Sequence, residues 1–219
     1  MNANGTELVF ILDRSGSMSG LEADTIGGYN AMLAKQKNGE GEATVTTVLI
    51  NHDIDLLHDR ITIKGVSPIT EREYEVGGTT ALLDAIGSTI HKIGNVQKRT
   101  SEEARADKVL FVITTDGMEN ASREYDYAKI KAIIEHQKVT YDWEFIFLGA
   151  NIDAVSTASK FGIQEDYAVN YHADSEGTQV NFQALNEAVT SFRKGKKIDR
   201  AWKENIEKDL CAPGTRSPS

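Results

Sequence analysis

Two uninterrupted apolar runs constrain this chain more than anything else in it. Leu8 to Leu12 and Val109 to Ile113 contain no polar residue, and a strand without polar alternation belongs inside a parallel sheet, covered on both faces. Each run stops at an acid. Asp13 follows the first directly, and Asp116 follows the second after Thr114 and Thr115. In open α/β sheets ligands gather in the crevice outside the carboxyl ends of the strands. If the two strands are neighbours, both carboxylates meet at one sheet edge.

Hydroxyls stand beside both acids. Ser15 and Ser17 flank Gly16 on the turn after the first run, and Gly77-Gly78-Thr79-Thr80 delivers two more just before the clearest amphipathic helix, marked by Leu82, Leu83, Ile86, Ile90 and Ile93. Three separate loops can therefore supply Asp13, Ser15, Ser17, Thr79 and Asp116 to one cation. All are oxygen donors, which suits a hard ion such as Mg²⁺.

The segments Asp13-x-Ser15-x-Ser17, Gly77-Gly78-Thr79 and Thr115-Asp116-Gly117, in that order, resemble the metal-ion-dependent adhesion site (MIDAS) of von Willebrand factor type A (VWA) domains, of an intracellular bacterial or phage-like type. The resemblance runs from about Thr6 to Gly195. It implies a doubly wound, mostly parallel, Rossmann-like α/β sheet with helices on both faces and one antiparallel edge strand over Ile54 to Ile63. The domain expected is 4–195, followed by an extension over 196–219 with a docked helix at Arg200 to Leu210 and a disordered tail. The metal ligands implied are Asp13, Ser15, Ser17, Thr79 and Asp116, holding Mg²⁺ or Mn²⁺. Thr79 is preferred to Thr80 because it directly follows the two glycines. Arg14, Met18, Gly78, Thr80 and Glu119 are expected at the rim.

By the same resemblance the protein is a binding module and not an enzyme. In the family the two acids act largely through water when a partner is bound, so neutral hydroxyls dominate around the ion and it stays electrophilic enough to capture a Glu or Asp carboxylate from a partner protein. Exchange of that carboxylate can be coupled to the last helix, here Phe182 to Arg193. Two alternatives stand beside this reading. One is a Mg²⁺-dependent phosphohydrolase with Asp13 as nucleophile, although Ser15 stands where such enzymes want a second acid and Lys108 lies at the wrong end of its strand. The other is a VWA scaffold with a non-functional metal site. Dinucleotide and phosphate-loop glycine motifs are absent, and His52, His58, His91, His136 and His172 are dispersed without metal-ligand spacing.

The composition allows one large domain with a short appendage. In 219 residues, 24 basic against 33 acidic side chains leave a formal charge of -9, which argues against nucleic acid because phosphate binding wants a basic face. Cys211 is the single cysteine, so no internal disulfide forms. No secretory leader is evident, and no apolar run approaches the roughly 20 residues that span a bilayer. The expectation is a cytoplasmic protein with no membrane partner; oligomeric state leaves no signature.

Local signals fill in the rest. Ser19 and Glu22 have capping-box spacing for a helix reaching Lys37 and weakened by Gly27 and Gly28. Met32 is expected in the core and Met18 beside the metal. Asp126 and Asp153 read as helix caps, Gly162 as a helix stop, and Tyr167 to Tyr171 as an outer strand. Gln97 to Asp107, wholly polar or small, reads as exposed surface and not as a site.

Overall fold

The computed structural model describes residues 5–212. Asn4 and the expected disordered tail, 213–219, lie outside the described residues. Six strands, β1 (Thr6–Asp13), β2 (Ala43–Ile50), β3 (Ile54–Thr62), β4 (Lys108–Thr115), β5 (Glu144–Gly149) and β6 (Ala168–Asn170), form one sheet in the order β3-β2-β1-β4-β5-β6. All neighbours are parallel except β2 and β3, which make the antiparallel edge. The chain winds outward from β1 to one side through β2 and β3, then crosses back to β4 on the other. That reversal puts the switch point, and with it the crevice, between Asp13 and Thr115.

Why both apolar runs lack alternation is visible in their packing. Leu8, Phe10 and Leu12 join one core with α1 (Glu22–Lys37), α5 (Ser175–Arg193) and α6 (Glu204–Cys211). Val9 and Ile11 face the other core, built with α2 (Leu82–Arg99), α3 (Tyr127–Tyr141) and α4 (Ala154–Lys160). A strand clad by helices on both sides has no polar face to offer.

Three of the helices are capped as short acidic side chains dictate. Asp126, Asp153 and Asp174 each accept a hydrogen bond from a first-turn amide of α3, α4 and α5. The capping box at Ser19 does not form. A 3₁₀ turn over Gly16–Met18 and a positive φ at Gly20 carry Ser19 out of position, Leu21 occupies the cap, and Glu22 accepts from Gly20 N–H at 2.7 Å. Met18, expected beside the metal, is carried down into the first core at 2% exposure.

Gly28 costs α1 helix propensity for a packing reason. A Cβ there would lie 2.8 Å from Phe182 Cγ and closer still to Cδ2, so the glycine is what lets α1 and α5 approach. Gly28→Ala is expected to destabilise by about 1–3 kcal/mol, the usual range for overpacking, read as a lower denaturation midpoint at unchanged slope.

The segment past residue 195 packs as part of the first core. Ile198, Trp202 and Ile206 join it, and Lys203, 1% exposed, donates from Nζ to Glu165 O at 2.7 Å and Ala168 O at 2.8 Å. With Trp202 Nε1 on Asp166 O, it covers the β6 end of the sheet. Its helical part is a 3₁₀ turn, Arg200–Lys203, followed by α6. Among the described residues no helix is long and apolar enough to cross a membrane.

Candidate metal centre

Asp13 ends β1 and is 1% exposed. Its carboxylate is fixed in orientation: Oδ1 accepts from Ser15 N–H at 2.7 Å and Oδ2 from the Thr115 hydroxyl at 2.5 Å. Thr115 Oγ1 in turn accepts from Gly117 N–H at 3.2 Å, which ties the two strand ends together. Below them Tyr74 donates its hydroxyl to Asp13 O. Burial and the neighbouring carboxylates raise the pKa of Tyr74, so it stays a neutral donor.

Asp116 is the unusual member. It is 2% exposed, and neither carboxylate oxygen has a hydrogen-bond partner. Burial pushes its pKa up to about 6, with the charge of Asp13 adding to the rise and the nearby Ser17 hydroxyl opposing it. Asp13 is raised as well, by burial first, against the hydrogen bonds from Thr115 and Ser15. Among the described residues neither acid has an ion-pair partner.

The hydroxyls converge on one point. Ser15 Oγ and Ser17 Oγ are 3.1 Å apart. A Cβ placed on Gly117 would lie 2.9 Å from Ser17 Oγ, 3.2 Å from Thr80 Oγ1 and 3.6 Å from Ser15 Oγ. Thr80, not Thr79, therefore brings its hydroxyl to the serines. Thr80 is 2% exposed whereas Thr79 is exposed. The reason is backbone pairing: Gly77 N–H donates to Arg14 O, Gly16 N–H to Gly78 O, and Ala81 N–H to Asn51 O, all near 3 Å. These bonds pin the loop so that the second threonine faces inward, an alternation the two adjacent hydroxyls could not reveal in sequence.

The donor set suits a hard divalent cation: two carboxylates and three hydroxyls, with both Asp116 oxygens left open to a further partner. Among the described residues no group of three or more His, Cys, Asp or Glu side chains forms, as expected of a site in which hydroxyls outnumber acids. Gly117→Ala would push a methyl among these hydroxyls. The expected result is at least a tenfold loss of Mg²⁺ or Mn²⁺ affinity by calorimetry, with circular dichroism unchanged.

Of the residues expected at the rim, three turn to other tasks. Arg14 bends away, donating to Glu73 O at 2.9 Å and pairing with Asp55 of β3. Glu119 caps α2, accepting from Leu83 N–H and, within its own loop, from Ala121 and Ser122 N–H. Met18 is core. Gly78 does lie at the surface, with φ +79° and the His52 ring against its Cα, where any Cβ would collide. The exposed neighbours are instead His52, Thr79 and Met118, the last 75% exposed. Met118 sits two residues past Asp116, so its place was readable from the motif; nothing in the sequence pointed to His52.

No protein-family model matches the chain, and no curated protein sequence matches it. Solved structures do. A von Willebrand factor type A protein from Catenulispora acidiphila superposes with a TM-score of 0.58 at 13% identity, over 86% of this chain and 43% of that one. The fold is that of a VWA domain. Manganese-loaded TRAP protein from Plasmodium vivax has the same VWA fold, with a TM-score of 0.55 at 15% identity over 82% of this chain and 72% of that one. So does proximal thread matrix protein 1 from the mussel byssus with a zinc-occupied MIDAS motif, at 0.54 and 14% over 86% and 46%. The chain spans less than half the length of the first structures it matches.

Proposed function

We propose that this VWA domain is a divalent-cation-dependent protein-binding module, with Mg²⁺ or Mn²⁺ held by Ser15, Ser17 and Thr80 together with Asp13 and Asp116. The observation that carries the reading is Asp116: a buried carboxylate with both oxygens orphaned, beside a second buried carboxylate and three converging hydroxyls. Two like charges without a cationic side chain between them are unfavourable on their own. A bound divalent ion supplies a Lewis-acidic position for an oxygen from outside.

The chain's own residues decide what that position attracts. Asp13 is held by Ser15 N–H and Thr115, so its orientation is set before anything binds. The hydroxyls of Ser15, Ser17 and Thr80 add no charge, which leaves the pair of acids just balancing a divalent ion and no surplus negative charge to repel a carboxylate. A Glu or Asp side chain of a partner protein is the ligand this balance favours. With the chain at a formal charge of -9, acidic partners are repelled at long range and contact depends on the ion.

Hydrolysis by Asp13 is disfavoured. A nucleophile needs a free, accessible oxygen, and both of its oxygens are engaged in a residue 1% exposed. Lys108 Nζ caps α5 at Phe192 O and Arg193 O, at the far end of β4. The exposed single thiol at Cys211 accords with a reducing, cytoplasmic setting.

The test is capture of partner proteins on the immobilised chain, with Mg²⁺ or Mn²⁺ against chelator, combined with metal affinity. Thr80→Val removes a hydroxyl at nearly constant shape and is expected to weaken metal binding at least tenfold and abolish capture. Thr79→Val is expected to stay within twofold of the parent. Capture that persists in chelator overturns the proposal; loss in Thr79→Val alone overturns the assignment of Thr80.

A further inference from the structure

The outward stripe of α1 is almost bare of polar side chains. Ala23, Gly27, Ala31 and Ala34 are exposed, and Lys35 is the one charged residue of the helix exposed with them, although a helix face turned to water is ordinarily charged or polar. Between this stripe and α5 runs a groove of about 330 Å³. Gln179 and Gln183 of α5 form its other bank, exposed and neutral.

Gly27 has no use inside the chain. Its neighbour Gly28 makes room for Phe182, but a Cβ on Gly27 would meet nothing within 4 Å, and its φ does not lie in the left-handed region. A glycine inside a helix is destabilising relative to alanine. What the missing side chain permits is the close approach of a backbone from outside the chain.

The charges in the groove say which backbone that is. Asp24 and Lys35 are the charged side chains lining it, and neither forms an ion pair among the described residues. Asp24 Oδ1 takes the Ser175 hydroxyl at 2.8 Å, which holds the carboxylate at one end of the groove. About three turns separate it from Lys35, so both fall on one face. They lie equally far, about 8 Å along the axis, on either side of the midpoint between Tyr29 and Asn30, with Gly28 and Ala31 placed symmetrically inside them. A two-fold axis through that midpoint sets Asp24 of each copy against Lys35 of the other. The same operation runs the two helices antiparallel, so that their dipoles are opposed, and it brings Gly27, Gly28 and Ala31 of both copies to the crossing, where helix axes can close to about 8 Å.

We propose that this groove is the interface of a symmetric dimer, its occupant being α1 of a second copy of the chain. The face is small for a specific interface, and dissociation constants of about 1–100 μM are expected. None of these residues belongs to the metal centre, so the dimer forms without an ion and does not depend on the reading of that centre.

Sedimentation velocity of the full chain, in chelator and up to about 0.5 mM, reads the monomer–dimer equilibrium. Gly27→Gln puts a long polar side chain at the crossing and is expected to weaken dimerisation by at least about tenfold, while denaturing no earlier than the parent because the helix loses a glycine. Asp24→Lys and Lys35→Asp, which set like charges against each other, are each expected to weaken it by at least about tenfold. An equimolar mixture of these two variants should dimerise again, within about threefold of the parent, because every charged contact then joins a lysine to an aspartate. A parent that stays monomeric at the highest concentration overturns the proposal. So does a dimer that Gly27→Gln leaves intact, or a mixture of the charge variants that associates no better than either alone.

Discussion

In chelator, Asp116→Asn will be more stable than the parent protein, and it will gain nothing from Mg²⁺ or Mn²⁺. The two halves of this result come from one cause. Asp116 is buried with neither oxygen partnered, and its pKa is pushed up to about 6 from an ordinary 3.8. Holding it ionised at neutral pH therefore costs about 3 kcal/mol. The amide keeps the shape and discards the charge, but leaves its own polar atoms unpaired, returning about 1–2 kcal/mol of that gain. A net stabilisation of about 1–2 kcal/mol remains. In the parent, an ion that binds only the folded state at 100 times its Kd contributes about 2.7 kcal/mol, or about 5–10 °C for a domain of this size. Asp116→Asn trades that response for intrinsic stability. Thermal and urea denaturation with and without metal will read both effects. A variant less stable than the parent in chelator and still stabilised by metal would show that Asp116 is not a ligand and is satisfied in some other way.

The residues that made the fold legible in sequence are those with a single physical explanation. Leu8 to Leu12 and Val109 to Ile113 have no use for five apolar side chains in a row except burial on both faces, and they are the paired central strands β1 and β4. Asp126 and Asp153 cap helices because their short carboxylates reach a first-turn amide. The candidate site was legible as a set of loops, since Asp13 and Asp116 had to fall at strand ends. What the pattern could not carry was orientation within a loop. Thr79 and Thr80 are chemically the same, and only the backbone bonds of Gly77, Gly78 and Ala81 choose between them. Glu119 was indistinguishable in sequence from a rim acid, yet the open amides at the start of α2 claim it. Met18 was pulled from the loop by the 3₁₀ turn that Gly16 begins. Tyr74 lay in a stretch without periodicity, and its hydroxyl bond to Asp13 O spans 61 residues, beyond any local pattern. The polar run at Gln97 hid a wall of a cavity because its apolar partner, Trp143, arrives from a different strand.

Acidification should stabilise the metal-free protein through Asp116 and destabilise the metal-bound one. The pKa of Asp116 is higher in the folded chain, about 6, than in the unfolded chain, near 3.9. Between these values the folded state binds more protons, so stability contributed by this group falls as pH rises through the window and grows as pH drops. The gain is about 1.4 kcal/mol on going from pH 7.5 to 5 and approaches about 3 kcal/mol below pH 4. Asp13, also raised by burial, acts in the same direction. His58, whose pKa burial lowers, acts in the opposite one, because the folded state resists its protonation. The contribution of Asp116 is therefore isolated as the difference in pH dependence between the parent and Asp116→Asn, both in chelator. With saturating Mg²⁺ the sign reverses. A carboxylate engaged with a cation holds its proton less readily, protons compete with the metal, and stability is lost as pH falls. Urea midpoints measured from pH 7.5 to 4.5 should thus give two parent curves of opposite slope that approach one another at low pH, where the protonated site no longer holds the ion. Parallel curves with and without metal, or a parent and an Asp116→Asn variant with the same slope in chelator, would mean that the Asp116 carboxylate is neither strained by burial nor relieved by a cation.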